Sequence, residues 1–245
     1  LFVMSTLLLM ALIIVGWQKD TGSGLIFSGI SFFLLMIPYN KAYRKYQHYL
    51  KIVLFLIIVA AIVVMLPQTT SFLESLNSDN YIISRFLSSA DPFKYQYGIG
   101  YHLILSLVAS ATGGLFGSGY ASSIYKYMNF PNTDNDFILP IIIEELGIFG
   151  FLFIVVCYGI IAYRLLKYAF NKKAALRSKM VLSGVILYLL LHFIFNVGGV
   201  SGIIPLTGVP LLLISSGGSS TVAFLCAIGI AQKEIKLIKY KEAQN

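Results

Sequence analysis

PNTDNDFILPIIIEELGIFG, residues 131–150, decides how this chain is read. The stretch begins polar and acidic, turns apolar at Phe137, and then carries Glu144 and Glu145 inside an apolar run. Ionisable groups at membrane depth are costly and are kept mostly for function. Asp136, at the polar edge of the run, is therefore the candidate chemical centre, and the rest of the chain is its membrane scaffold. If a helix starts near Asp136, Glu144 lies roughly 12 Å deeper. Eight residues turn about 80° around the axis and nine about 180°, so Glu144 falls nearer the Asp136 side and Glu145 opposite. One division places Glu144 on an aqueous cleft and pairs Glu145 inside the bundle. The other buries both, neutral or hydrogen-bonded, as ties between helices.

Composition supports the membrane reading. Of 245 residues, 58% are hydrophobic and 11% charged, with mean hydropathy +0.82. A soluble domain carries about 25% charge. Six apolar runs, approximately 1–17, 23–38, 51–66, 138–163, 180–197 and 208–231, approach the roughly 20 residues that cross a bilayer. The expected fold is an all-α polytopic membrane protein forming one domain over 1–245, with a large extracellular loop over 67–137. Cys157 and Cys226 sit in apolar runs, which excludes a disulfide framework and any CxxC metal spacing. The chain starts at Leu1 within an apolar run and has no basic n-region, so a signal peptide is a poor reading and a fragment lacking its N-terminal part fits better.

The net charge of +8 does not mark a nucleic-acid binder, because its distribution is that of a topology signal. Fourteen of the 18 Lys and Arg cluster near 41–51, 164–179 and 233–241, all on one side if the six spans alternate. The positive-inside rule puts that side in the cytoplasm. Lys19, Arg85, Lys94 and Lys126 stay on the other face with most of the acids. The segment NKAYRKYQHYLK, with His48, reads as an interfacial loop meeting lipid head groups.

Within the long loop, apolar positions at 103, 105, 107 and 108 predict a helix from about 100 to 112, followed by the glycine-rich turn GGLFGSGY. Glycines let backbone amides converge on an anion, yet the Walker ending is absent. Four glycines at a helix end are more often turn and close-packing residues. Further on, His192 and Asn196 share a helix face at i, i+4, and the histidine reads as a hydrogen-bonded packing residue. The segment 196–220, NVGGVSGIIPLTGVPLLLISSGGSS, cannot make a uniform helix. Irregular backbone at membrane depth survives only where protein or a water-filled cavity satisfies it. It is expected to line a cavity opening to the same face as Asp136, or to pack helices tightly through small residues.

Four motifs in this order carry a family resemblance: GIGYH with Ser106 (98–106), GGLFGSG (113–119), the 131–150 stretch, and NVGGVSGIIPLTGVP with ISSGGSS (196–220). The chain resembles the SEDS proteins (FtsW, RodA, SpoVE), polytopic peptidoglycan glycosyltransferases of the bacterial cytoplasmic membrane. Its 90–102 and 202–210 segments read closer to FtsW. Family members are bundles of about ten spanning helices with both ends cytoplasmic, so six spans here imply that about four N-terminal helices are absent. The resemblance implies polymerisation of lipid II into glycan strands outside the membrane, with undecaprenyl pyrophosphate leaving. It also implies a class B penicillin-binding protein and the divisome or elongasome as partners. The family's essential aspartate falls on Asp136. The departures are Asn135 for a usual Thr, Ser216 for a usual Tyr and Leu212 for a usual Pro, and Asp134 offers a second carboxylate nearby.

Glycosyl transfer needs a base near the attacking hydroxyl and charge to steady the departing pyrophosphate. An inverting enzyme needs no protein nucleophile. Asp136 is the expected base. Arg85, Lys94, Lys126, the glycine turn, or a divalent cation (Mg or Mn) held by acids are candidates for the pyrophosphate. Further substrate contacts are expected at His102, Ser106, Glu144, Asn196, Pro205, Ser215, Gly217 and Gly218. The rival readings are a lipid II flippase, since broken helices with intramembrane carboxylates also mark transporters, and a non-catalytic scaffold. A flippase needs a polar path through both leaflets, and here the acids sit on the outer side.

Overall fold

The computed structural model describes residues 13, 21–37, 47–49, 51–52, 55–56, 81–127 and 133–244. The expected first span apart from residue 13, most of the third, the 67–80 part of the loop and Pro131 lie outside the described residues, as does most of the basic NKAYRKYQHYLK segment. The regular elements among the described residues are helices: α1 (Thr21–Met36), α2 (Tyr81–Ala90), α3 (Ile99–Gly113), α4 (Ile138–Ala169), α5 (Leu176–Val200) and α6 (Gly218–Ala243), with a 3-10 turn at Tyr125–Tyr127.

α4 and α5 are long and apolar enough to cross a membrane. α4, at 32 residues, is about 48 Å long, more than the roughly 30 Å hydrocarbon layer requires. α4 and α5 extend beyond the expected 138–163 and 180–197, because their ends run on through basic residues that belong at an interface. Pro140 is tolerated in the first turn of α4, where its missing N–H costs nothing. α1 packs on α5, α3 on α4, α4 on α5 and α5 on α6. Phe137, Leu139, Leu182, Leu189, Leu211, Leu212 and Phe224 form the buried centre.

The sixth span, expected over 208–231, is corrected. Its helix begins only at Gly218 and continues to Ala243. Residues 201–217 are turns and irregular backbone, in which Gly202, Gly208 and Leu213 adopt positive φ. The LLLI run at 211–214 buries Leu211 and Leu212 completely without becoming helix. The long loop also holds more order than expected. α2 precedes the helix read at 100–112, which is observed as α3.

α4 is broken at Gly147, whose φ of 68° and ψ of −167° lie outside the helical region. Breaking the helix frees carbonyls and amides that must find partners in an apolar setting, and the glycine-rich turn supplies them. Ser118 donates its N–H (2.8 Å) and its hydroxyl (2.9 Å) to the Glu144 carbonyl, and the Gly119 N–H donates to the Glu145 carbonyl (3.0 Å). In return, the N–H groups of Ile148 and Phe149 donate to the carbonyls of Gly114 (3.0 Å) and Leu115 (3.4 Å). A Cβ on Gly117 would strike the Glu145 carbonyl, and one on Gly147 the Leu115 carbonyl. The turn and the kink thus splice into each other. The anion-cradle reading of GGLFGSG is overturned at these amides: those of Gly117, Ser118 and Gly119 are spent on protein carbonyls.

Candidate active site

Asp136 occupies the turn that leads into α4. It lines a cavity of about 570 Å³ together with Asn135, the 208–210 backbone, Gly217, Ser219 and Ser220, with Tyr188 and His192 of α5 and Ser23, Ile26, Phe27 and Ile30 of α1. Among the described residues no other acid lines this cavity. Asp134, the competing carboxylate, is exposed and outside it.

Two irregular segments meet here and lock together. Asn196 of α5 is 3% exposed, and its Nδ2 donates both to the Asp136 carbonyl (2.9 Å) and to the Val209 carbonyl (2.8 Å). The Ser215 hydroxyl donates to the Asn135 carbonyl (2.7 Å) while accepting the Leu211 N–H (2.8 Å). The Ser216 N–H donates to the Asp134 carbonyl (2.8 Å), and its hydroxyl to Asn135 Oδ1 (2.6 Å). The departures noted at Asn135 and Ser216 are therefore in contact. Tyr158 of α4 donates its hydroxyl to the Leu212 carbonyl. These bonds fix the backbone on both sides of Asp136 and leave its carboxylate at the cavity, with Oδ2 3.4 Å from where a Cβ on Gly208 would sit.

Burial pushes the Asp136 carboxyl above the usual carboxylate range, and the Arg85 guanidinium opposes that shift. Arg85, on α2, is thus the one expected cation whose field reaches the aspartate. A carboxylate with a raised pKa is a better proton acceptor.

The other expected contacts divide. Gly217 lines the cavity, whereas Gly218 opens α6 outside its lining, and Pro205 also lies away from it. Ser215 and Asn196 act through backbone, as above. Ser106 is fully buried and donates to the Val200 carbonyl (2.7 Å), so it ties α3 to α5 and stands outside the cavity lining. His102 packs its ring 6.3 Å from that of Phe137, away from the cavity. Lys94 lies over the Tyr95 ring at 5.9 Å, and Lys126 is exposed in the 3-10 turn; neither lines the cavity.

Glu144 is the clearest correction. It is 2% exposed and faces no cleft. Its carboxylate accepts the Ser123 hydroxyl (2.5 Å) and the Ile124 N–H (2.8 Å), pinning the loop beyond the glycine turn. Glu145 is the more exposed of the two, and no hydrogen bond reaches its buried Oε1.

His192 was read only as packing. It lines the cavity with Asp136, its Nδ1 held 3.1 Å from the Pro210 carbonyl and its ring edge-on to Tyr188 at 4.7 Å. If Nδ1 carries the proton, as that carbonyl requires, Nε2 is left as an acceptor. The i, i+4 spacing to Asn196 held the signal, since one helix face grips Val209 and Pro210 in succession.

With this geometry in hand, the likeness to known proteins becomes interpretable. The family model for the cell cycle proteins FtsW, RodA and SpoVE matches residues 1–237. The chain belongs to this family. It is 38% identical over 191 residues to "Probable peptidoglycan glycosyltransferase FtsW" of Bacillus subtilis, covering 76% of this chain and 46% of that one. "Stage V sporulation protein E" of the same organism is 29% identical, covering 94% and 58%. "Peptidoglycan glycosyltransferase MrdB" of Escherichia coli K12 is 29% identical, covering 91% and 57%. The chain spans about half the length of these curated relatives. A chain of the solved structure described as "Structural coordination of polymerization and crosslinking by a peptidoglycan synthase complex" superposes with TM-score 0.65 at 24% identity, over 93% of this chain and 59% of that one. At that identity the likeness speaks for the fold. As a family member with two bilayer-length helices, the chain is an integral protein of the cytoplasmic membrane.

Proposed function

We propose that the protein is a peptidoglycan glycosyltransferase that polymerises lipid II at the outer face of the cytoplasmic membrane, in division or elongation. The observation that carries this is the placement of Asp136. Among the described residues it is the only acid lining the 570 Å³ cavity, and hydrogen bonds to the backbone from Asn196 and Ser215 fix its position.

In this reading Asp136 takes the proton from the attacking sugar hydroxyl as that oxygen bonds to the donor's anomeric carbon. The bond from that carbon to pyrophosphate breaks with inversion, and undecaprenyl pyrophosphate leaves with the electron pair. Arg85, outside the cavity lining but near enough to lower the Asp136 pKa, would steady the developing charge. The apolar side of the cavity, from Ile26, Phe27 and Ile30 of α1, suits the start of a polyprenyl chain. The lipid II pyrophosphate is also where a Mg or Mn ion would act. Among the described residues no three His, Cys, Asp or Glu side chains come together to hold a metal, so these residues do not build a resident site and no step passes through one. A class B penicillin-binding protein is the proposed partner.

The basic residues near 164–179 and 233–241 gather at the end of α4 away from Asp136: Arg177 lies 3.8 Å from Glu234, and Asn171 donates to Glu242 at 2.6 Å. That separation supports a cytoplasmic basic end and an outer active site.

The test is lipid II polymerisation by the full-length protein with its partner in liposomes, comparing wild type, Asp136→Ala and Asp134→Ala. Loss of glycan product in the Asp136 variant alone, at normal expression, is expected. Unchanged product in that variant would remove the assignment and return the flippase reading.

A further inference from the structure

Besides Glu144, which pins the loop beyond the glycine turn, a second buried carboxylate among the described residues stands outside the glycosyl-transfer chemistry. Glu234 of α6 is 3% exposed. One of its oxygens accepts the Ser178 hydroxyl at 2.6 Å, and the other lies 3.8 Å from Nε of Arg177, whose own side chain is 82% exposed. A carboxylate buried among apolar helices is expensive unless it is paired and put to use. Here it faces the Nε edge of the Arg177 guanidinium across an ion pair longer than a hydrogen bond. The exposed Arg177 lines the cavity described next, and its planar guanidinium suits the two oxygens of a phosphate.

Beside this pair lies a cavity of about 250 Å³, between the first turn of α5 and the C-terminal half of α6. Lys233 and Lys241 join Arg177 around it, and Leu237 and Ile238 supply an apolar wall. The surroundings are strongly cationic. Residues 164–179 and 233–242 carry ten Lys and Arg against two Glu. Both acids are engaged, Glu234 as above and Glu242 by the Asn171 side chain at 2.6 Å.

We propose that this cavity binds the headgroup of an anionic phospholipid from the leaflet at the basic end of the bundle. Arg177, Lys233 and Lys241 meet the phosphate, and Leu237 and Ile238 meet the glycerol and first acyl carbons. The joint cationic and apolar lining, at the end of a membrane-length helix, is what favours a lipid over a soluble anion. The proposal rests on the membrane reading and is independent of the glycosyl-transfer reading.

The experiment uses the full-length protein in phosphatidylcholine nanodiscs, titrated with phosphatidylglycerol and read by native mass spectrometry. Wild type is expected to retain one phosphatidylglycerol in preference to phosphatidylcholine. Arg177→Gln, and separately the double variant Lys233→Gln/Lys241→Gln, are expected to weaken that retention about tenfold, the loss of a charge-assisted contact. All three side chains are exposed, so the fold survives these changes. Equal retention by wild type and variants, or equal retention of phosphatidylcholine, would overturn the proposal. Displacement of the lipid by millimolar inorganic phosphate would overturn it too, leaving a soluble-anion site. Glycan synthesis in the same preparation reports separately on Asp136, so one reading can fail without the other.

Discussion

Asn196 offers the most direct probe of how Asp136 is held. Its amide has two hydrogens, and both are used, on the carbonyls of Asp136 (2.9 Å) and Val209 (2.8 Å). Asn196→Ala deletes both bonds. A neutral hydrogen bond contributes about 1 kcal/mol net, and a buried acceptor left unmet adds about 1–3 kcal/mol. With Val209 buried and Asp136 half-buried, the expected destabilisation is about 2–4 kcal/mol. Asn196→Asp keeps the shape but turns oxygens toward two carbonyl oxygens, so it should cost more than alanine. Freeing the Asp136 backbone also displaces the base, and a shift of about 1 Å can cost about 100-fold in rate. The assay is unfolding of the purified protein, with glycan synthesis measured well below the unfolding temperature. The expected order for both readouts is wild type, then alanine, then aspartate. An aspartate variant as stable and active as wild type would refute the bridge.

Two further substitutions separate chemistry from architecture. Asp136 works ionised, and burial raises its pKa while Arg85 opposes the rise; activity should therefore fall as pH drops through a value above the ordinary carboxylate range. Arg85→Gln removes the opposing charge, so the acid limb of the kcat/KM profile should move to higher pH, and an unmoved or lowered limb would count against the pairing. Glu144→Ala strands the Ser123 hydroxyl and the Ile124 N–H, two bonds to a buried carboxyl group at about 1–3 kcal/mol each, so a stability loss of about 2–6 kcal/mol is expected with near-normal activity per folded molecule. A stable Glu144→Ala protein that had lost activity would restore the cleft reading.

Local signals carried much of the fold. Hydropathy located α4 and α5 within a few residues, because a helix crossing a bilayer must be apolar over a fixed length. The prolines and glycines of 201–217 announced irregular backbone, and Asp136 stood out as an acid at the edge of an apolar run. What stayed hidden depended on partners distant in sequence. Ser106 looked like a substrate contact because its partner, the Val200 carbonyl, is 94 residues away. Whether Glu144 faces a cleft or is buried as a tie stayed open because the groups it binds, Ser123 and Ile124, lie about 20 residues back, in a loop whose path the sequence does not give. The LLLI run misled in another way: burial alone demands apolar side chains, and Leu213 at a φ of 66° satisfies that demand without a helix.

The glycine-rich turn shows why such motifs resist reading one at a time. GGLFGSG taken alone suggests an anion cradle, and EELGIFG taken alone suggests an interrupted helix. Each explains the other. Gly147 breaks α4, the break strands carbonyls at 144 and 145, and the turn's amides at 118 and 119 reach them only because Gly117 lets the backbones touch. The kink lies about two and a half turns beyond the start of α4, the end that carries Asp136. A splice there makes α3, the turn and the first segment of α4 one rigid unit. Asp136 is held against the 208–217 backbone by that unit on one side and by Asn196 and Ser215 on the other. The architecture thus uses two glycine-dependent irregularities to fix one carboxylate, and disturbing either should move the base before it unfolds the bundle.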